Sequence, residues 1–280
     1  MENITLNNKI KCPAVGIGTF MLSPADAQNS VREALKMGYR LVDTANAYVN
    51  ERAVGRGIKE SGIDRKEIFL STKLWPSEYE NENAVDETLE RLGVEYVDLL
   101  YIHQPAGNWL AGYRQLEKAY REGKAKSIGI SNFEGKYIAE LETKWEIVPQ
   151  FIQVEAHPYF TQTELRKTLD KYDIKLMSWY PLGHGDKSLI NEPLFTLLGK
   201  KYGKSNAQII LRWHTQMGFA VIPGSKNVAH IKDNLDILDF TLTDDEMAQI
   251  AKLDKGERCY HRTDSQLSQF AAWQPTYEKR

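Results

Sequence analysis

Sulfur is scarce in this chain and neither sign of charge dominates. Two cysteines, Cys12 and Cys259, among 280 residues exclude a disulfide framework and suit a reducing compartment. Lys and Arg number 36 against 38 Asp and Glu, a formal charge of -2, so the chain lacks the general attraction that nucleic acid or an anionic membrane would require. No apolar run approaches the roughly 18 residues of a membrane helix, and the segment Glu2-Asn3-Ile4-Thr5-Leu6 shows no basic stretch leading into an apolar one. A cytoplasmic location is expected, which leaves the Asn3-Ile4-Thr5 sequon without a glycosylation role. A P-loop, His-Glu-x-x-His, Cys-x-x-Cys and Gly-x-Ser-x-Gly are all missing. The pairs Gly16-x-Gly18, Gly55-x-Gly57 and Gly183-x-Gly185 each lack the third glycine of the dinucleotide fingerprint, which weakens a Rossmann reading. There is also no Pro/Gly/Ser-rich linker, low-complexity tract or internal repeat, so residues 1–280 are expected to form one domain.

What is present is an alternation. With 42% hydrophobic and 26% charged residues, the chain is long enough for one large α/β core. Apolar runs recur at Ala14 to Ile17, Leu41 to Asp43, Ile68 to Thr72, Val97 to Ile102, Ser127 to Ile130, Phe151 to Val154, Leu176 to Trp179 and Phe219 to Ile222. Runs of this length between helical patterns read as buried parallel strands. Between them lie amphipathic stretches: Ala27, Val31, Ala34 and Leu35 after a Ser23-Pro24 start, and Val85, Leu89 and Leu92 further on. Eight such units predict a (β/α)8 TIM barrel. Before them, Leu6-Asn7-Asn8-Lys9-Ile10 predicts an N-terminal β-hairpin capping the barrel's bottom, with asparagine supplying the positive φ of the turn.

Polar residues gather where these runs end. Asp43 closes the second run, Tyr48 follows five residues later, Lys73 lies just past the third, and His103 just past the fourth. The C-terminal ends of barrel strands carry catalysis in this architecture. An acid, a phenol, an amine and an imidazole together are the parts of a proton-transfer site. Taken one at a time, each has an ordinary structural role: a cap, a packed ring, a solvated amine or a core imidazole.

In order along the chain come Asp43-Thr44-Ala45-x-x-Tyr48-x-Asn50-Glu51, Lys73, Ile102-His103-x-Pro105 and Gly129-Ile130-Ser131-Asn132-Phe133. With Gly18-Thr19-Phe20, Gln153-Val154-Glu155, Tyr180-Pro181-Leu182-Gly183 and Pro223-x-Ser225, the set resembles the aldo-keto reductase family over nearly the whole chain. The resemblance implies a barrel that binds NADPH, with NADH as the alternative, without a Rossmann motif, and reduces an aldehyde or ketone by hydride transfer. The reaction also requires an acid for the carbonyl oxygen and stabilisation of the charge developing there. Tyr48 is the expected acid. Its phenol, ordinarily near pKa 10, is expected to be pulled down by Lys73, because a cation about 4 Å away at an effective dielectric near 20 contributes roughly 4 kcal/mol, on the order of three pKa units. Asp43 would hold the Lys73 ammonium, and His103 would donate to the substrate oxygen.

For the cofactor, Ser131, Asn132 and Gln153 offer hydroxyl and amide groups suited to a carboxamide, and Tyr180 a flat face for the nicotinamide ring. Gly18, Thr19, Phe20, Asp43, Pro181, Leu182 and Gly183 complete the expected contacts on that side. Pro223-Gly224-Ser225-Lys226-Asn227 feeds a helix beginning near Val228, a favourable phosphate site. Here the sequence departs from the family's commoner pattern, which has Lys at the Gly224 position and Arg at the His230 position for the 2'-phosphate. Lys226 and His230 are the expected substitutes, and Asn234 the adenine contact. A second departure is Gln104, where many relatives carry Trp, followed by a short segment from Ala106 to Gly112.

Phe20, Tyr48, Trp75, His103 and Trp109 are expected to wall the substrate pocket, with Trp145, Trp179, Trp213 and Trp273 as packing residues. The tail from Arg258, with Tyr260, His261, Phe270 and Trp273, is a candidate cover. The expected partner is a small carbonyl compound, with no nucleic acid, membrane or metal, and a monomer is expected. Two other readings stay open. One is a nucleotide-sensing protein of little activity on the same scaffold. The other is a barrel hydrolase with metal ligands Asp43, His103, Glu155 and His157.

Overall fold

The computed structural model describes residues 2–185 and 187–278. The chain opens with an antiparallel hairpin of β1 (Asn3–Thr5) and β2 (Lys11–Pro13). Its turn is closed by Leu6 N donating to Ile10 O and Lys9 N donating to Leu6 O, each at 2.9 Å. The positive φ falls on Lys9, at 72°, and not on an asparagine. Asn7 and Asn8 are engaged in another way: their side-chain amides donate to the carbonyls of Pro149 and Tyr172, and of Lys126, at the entrances of later strands. An asparagine that bonds outward to other segments tethers the hairpin, so the positive φ passes to its neighbour.

Eight parallel strands follow: β3 (Ile17–Gly18), β4 (Leu41–Asp43), β5 (Phe69–Leu74), β6 (Leu99–Ile102), β7 (Ile128–Ser131), β8 (Phe151–Glu155), β9 (Lys175–Trp179) and β10 (Ala220–Val221). Each pairs with the next in chain order. The sheet curls until its edges meet: Val15 bridges Val221 in parallel, Gly16 N donates to Val221 O at 2.8 Å, and Val221 N donates to Ala14 O at 2.9 Å. All eight expected runs overlap strands, most displaced by a residue or two and the first, Ala14 to Ile17, by three at its start, since β3 begins at Ile17. β5 continues past Thr72 because Lys73 and Leu74 pair with Tyr101 and Ile102.

Helices separate the strands and cover them. Pro24–Lys36 starts where Ser23 accepts from Asp26 N, Ala84–Leu92 buries Val85 and Leu89, and Val228–Leu235 is capped by Asn227, which accepts from Ala229 N. Their apolar faces pack on the outside of the sheet around Val42, Leu70, Leu100, Ile130 and Ile152. The barrel interior is a separate cluster, in which Leu6 and Cys12 of the hairpin meet Leu41, Phe69, Leu99, Tyr101, Phe151 and Met177. Leu41, Phe69, Leu99 and Phe151 are the first residues of their strands, so the hairpin does plug the bottom. Gly129 makes room inside: a Cβ there would stand 2.4 Å from the Tyr101 ring. Among the described residues no helix is long and apolar enough to cross a membrane.

Candidate active site

The bottom is filled with hydrocarbon, and the polar side chains are carried at the opposite rim. Asp43 ends β4, Lys73 is next to last in β5, His103 follows β6, Ser131 ends β7, Gln153 lies within β8, Tyr180 follows β9 and Pro223 stands two residues beyond β10. Parallel strands in register deliver these ends to one place.

At the centre the Lys73 ammonium donates to Asp43 Oδ2 at 2.6 Å and to the Thr44 carbonyl at 2.7 Å. Neither side chain of this ion pair is more than 1% exposed. The second oxygen, Asp43 Oδ1, accepts from Ser71 Oγ at 2.7 Å and from Gln153 Nε2 at 3.1 Å. A buried pair survives only when its remaining lone pairs are bonded in this way. Burial lowers the Lys73 ammonium from its ordinary value, with Asp43 opposing the shift.

Tyr48 reaches this pair from a short 3-10 turn, Asn46–Tyr48, ended by Val49 in the left-handed region at φ 57°. A β-branched residue there is strained, so the surroundings must hold it. Asn50 does so, donating to the carbonyls of Thr19 and Leu22 and accepting from Thr44 Oγ1 at 3.1 Å. Glu51 then ties the following helix to β5 by accepting from Thr72 Oγ1 and from Arg91 Nε, each at 2.7 Å. The conspicuous segment from Asp43 to Glu51 is thus a bracket for one phenol. The Lys73 ammonium lies 5.0 Å from the Tyr48 ring centroid.

The Tyr48 phenol is raised well above its usual 10.0 by burial first and then by the Asp43 carboxylate. This reverses the expected direction. Lys73 is engaged at hydrogen-bond distance by Asp43, so the phenol meets a neutralised pair and not a lone cation. The consequence is a tyrosine that stays protonated. His103 shifts the other way: burial, and then the Lys73 charge, hold its ring well below the ordinary 6.5, in the neutral form. Its ring stands 5.7 Å from that of Tyr48 and its Nδ1 has no hydrogen-bond partner among the described residues.

Around this centre Phe20 lies at 5.1 Å from Tyr48 and Trp75 at 5.0 Å from His103. Trp109 does not join them; its ring packs on Phe133 and Lys144, because it opens the helix Trp109–Arg121 and turns toward the next unit. The tail supplies other aromatics. Phe270 and Trp273, on and just after the helix Asp264–Ala272, both meet Trp75 edge-on, and Trp75 Nε1 donates to the Trp273 carbonyl at 3.2 Å. Trp273 is therefore part of a cover over the rim. Trp179 also departs from a packing role, since its Nε1 donates to Asn132 Oδ1 at 3.1 Å.

Ser131, Asn132 and Gln153 come together: Asn132 N donates to Gln153 O at 3.0 Å, and Asn132 Nδ2 donates to Ser131 Oγ and to His103 O, each at 3.1 Å. Tyr180 is half-buried beyond them, stacked on His184 at 4.1 Å. Across the barrel seam Gly18 meets Pro223 and Gly224, while Thr19 N donates to Asp43 O at 3.1 Å. Gly18 N donates to Pro223 O at 3.5 Å, and a Cβ on Gly224 would stand 3.0 Å from Gly18 O. Lys226, Asn227 and His230 are exposed and Asn234 is buried. Pro181 and Gly183 are buried beside Leu182.

The metal-ligand set Asp43, His103, Glu155 and His157 does not assemble. Asp43 is committed to Lys73, and the group that joins Glu155 and His157 is Cys259, with His157 Nε2 at 3.1 Å from Glu155 Oε1 and 3.4 Å from Cys259 Sγ. The backbone N–H groups of Cys259 and Tyr260 donate to the same carboxylate, fastening the tail to β8. Neither this cluster nor Arg262, which donates to Gln104 Oε1 at 3.0 Å, was visible in the sequence. A Thr263-x-x-Gln266 capping box was the available sign that the tail is helical.

The aldo/keto reductase family profile matches residues 14–255. The chain belongs to this family, a class of NAD(P)H-dependent carbonyl reductases. Among its relatives, morphine 6-dehydrogenase of Pseudomonas putida is 40% identical over 272 residues, covering 91% of this chain and 92% of that protein. The glyoxal reductase of Bacillus subtilis is 41% identical over 262 residues, with 92% and 94% covered. A Bombyx mori aldo-keto reductase solved in complex with NADP superposes with a TM-score of 0.88 at 32% identity, covering 95% of this chain and 96% of that one.

Proposed function

We propose that the protein reduces small aldehydes or ketones with NADPH, and that Tyr48 delivers the proton to the carbonyl oxygen. The observation that carries this reading is the pairing of a protonated phenol with a neutral imidazole, 5.7 Å apart between rings, over a buried Lys73–Asp43 pair.

The residues fit a nicotinamide nucleotide. Ser131 and Gln153 present hydroxyl and amide groups at adjacent strand ends, with Asn132 holding their spacing. Tyr180 keeps a half-exposed aromatic face beside them. The seam of Gly18 and Gly224 lets a backbone cradle approach closely, and the helix starting at Val228 opens toward Ser225 and Lys226, where Lys226 and His230 are the cations available to phosphate. When bound there, the dinucleotide supplies the reducing equivalent.

The chain's own part is proton supply and positioning. Tyr48 and His103 hold hydrogen-bond donors toward the substrate oxygen, and charge developing on that oxygen draws the proton from Tyr48. The Lys73 ammonium, 5.0 Å from the Tyr48 ring and kept in place by Asp43, offsets only part of what burial and the Asp43 carboxylate cost the phenolate left behind. Trp75 and Phe270, with the half-exposed Phe20 and Trp273, cover part of the rim against water. Loss of reduced-nicotinamide absorbance against a panel of carbonyls, with NADPH and NADH separately, tests the activity and the cofactor. Tyr48→Phe is expected to lower turnover about 10²- to 10⁴-fold with nucleotide binding kept, and undiminished turnover removes Tyr48 from the reaction.

A further inference from the structure

Away from Asp43, Tyr48, Lys73 and His103, three side chains of different chemistry converge where the tail meets the barrel. Glu155 ends β8, His157 follows just after it, and Cys259 arrives from 102 residues further along the chain. His157 Nε2 stands 3.1 Å from Glu155 Oε1 and 3.4 Å from Cys259 Sγ, and the three ligand atoms all lie within 4.8 Å of one another. Glu155 and His157 are each 1% exposed, whereas Cys259 opens to solvent. Hydrogen bonding accounts for only part of this. A ring nitrogen carries either a proton or a lone pair, so Nε2 cannot donate to the carboxylate and accept from the thiol at once. Nδ1, on the other side of the ring, is buried with no hydrogen-bond partner among the described residues. The polar contacts of the ring thus fall on the side of Glu155 and Cys259.

The spacing is that of ligands around one metal ion. Tetrahedral zinc, with bonds of about 2.0 Å to nitrogen and oxygen and about 2.3 Å to sulfur, sets nitrogen about 3.3 Å from oxygen and about 3.5 Å from sulfur. The observed 3.1 and 3.4 Å differ from these by about 0.2 Å or less. Thiolate, imidazole and carboxylate are donors that zinc accepts together, whereas magnesium and calcium take oxygen.

We propose that Glu155, His157 and Cys259 form a zinc site, completed by water, that clasps the tail to the barrel. It stands independently of the reductase reading. On binding, the thiol gives its proton to solvent and the sulfur bonds the metal, while the imidazole proton resides on Nδ1, which has no hydrogen bond to lose. Glu155 Oε2 keeps the Tyr260 N–H at 3.2 Å, so the metal adds to the existing attachment. Cys259 stands shortly before the helix Asp264–Ala272, whose Phe270 lies against Trp75, so metal at this point fixes the base of the cover over the rim.

The test takes the full chain, reduced and stripped with a chelator, and titrates it with zinc and with cobalt(II). A single zinc per chain is expected in equilibrium dialysis, and cobalt(II) is expected to bring up the near-ultraviolet charge-transfer band of a thiolate ligand. Cys12 is wholly buried under the hairpin, so the band reports Cys259. Cys259→Ser is expected to abolish the band and to weaken zinc binding by about 100-fold or more, since loss of an outer-shell partner alone costs about 10- to 100-fold. His157→Gln is expected to weaken it similarly. Zinc should also slow trypsin cleavage after Arg258 and Arg262, which flank Cys259, in the wild type and not in Cys259→Ser. Equal zinc binding by the wild type and Cys259→Ser means an adventitious ion only and overturns the site, as does cobalt(II) bound without the band. A band without protection of the tail overturns the clasp. If the variants do not fold, the cobalt band and the tail protection of the wild type decide, and absence of either overturns the proposal.

Discussion

The two ends of the barrel are built from the same strands and obey opposite rules. At the bottom, Leu41, Phe69, Leu99 and Phe151 close on Leu6 and Cys12 of the hairpin, and the hairpin's asparagine amides bond strand-entrance carbonyls. At the top, within a few residues along each strand, Asp43, Lys73, His103, Ser131 and Gln153 replace hydrocarbon with groups that are costly to bury. The bottom end contributes stability through apolar area. The top end takes some of that stability and returns a reactive arrangement.

Breaking the ion pair at the top has the largest expected effect. Lys73→Met leaves Asp43 buried without a cation and is expected to cost about 3 to 5 kcal/mol in urea unfolding, with turnover abolished. Adding Asp43→Leu to it should recover most of that stability without activity, since an apolar pair needs no desolvation. A double variant as unstable as the single one would mean that the top end is not held against its own cost. At the bottom, Leu6→Ala is expected to lose about 2 to 5 kcal/mol, with turnover per folded molecule preserved in a steady-state assay at low temperature; loss of turnover there would show that the two ends are coupled.

A smaller effect concerns cofactor choice. Removing the exposed cations together, as Lys226→Ala with His230→Ala, is expected to lower the NADPH-to-NADH preference by about 0.5 to 2 kcal/mol, read as a ratio of kcat/KM values, and an unchanged ratio would place phosphate recognition elsewhere. The smallest expected effect is none. The His103 ring has its value lowered, so it stays neutral as pH falls through 6.5, and the Tyr48 phenol has its value raised, so it stays protonated as pH rises through 10.0. The turnover profile should therefore be flat from about pH 6 to about pH 9, and an inflection near either ordinary value would mean that the site is wetter than its packing implies.

Much of this was legible because it is local or ordered. Eight apolar runs at regular spacing define the barrel, since a buried parallel strand must be apolar on both faces. The polar residues at their ends declare the functional rim. The segment from Asp43 to Glu51 also reads clearly, because the residues that bracket Tyr48 adjoin it in sequence, although most of their partners, Thr19, Leu22, Thr72 and Arg91, come from other segments. What was not legible depends on distance along the chain. Cys259 meets Glu155 and His157 a hundred residues away, and Arg262 meets Gln104 and Asn132; no pattern marks such encounters. The direction of the Tyr48 shift was missed for a different reason. The expectation already gave Asp43 to Lys73, but it let the cation outweigh burial and did not count the Asp43 carboxylate against the phenolate.

The seam where β10 meets β3 leaves almost no space between Gly224 and the Gly18 carbonyl, 3.0 Å for a Cβ that is not there. Installing a basic residue at position 224 to strengthen grip on a ribose phosphate would press a side chain into the joint that shuts the sheet into a cylinder. Retuning nucleotide preference at that position therefore requires the Gly18 carbonyl to give by a few tenths of an ångström at the joint of the hoop.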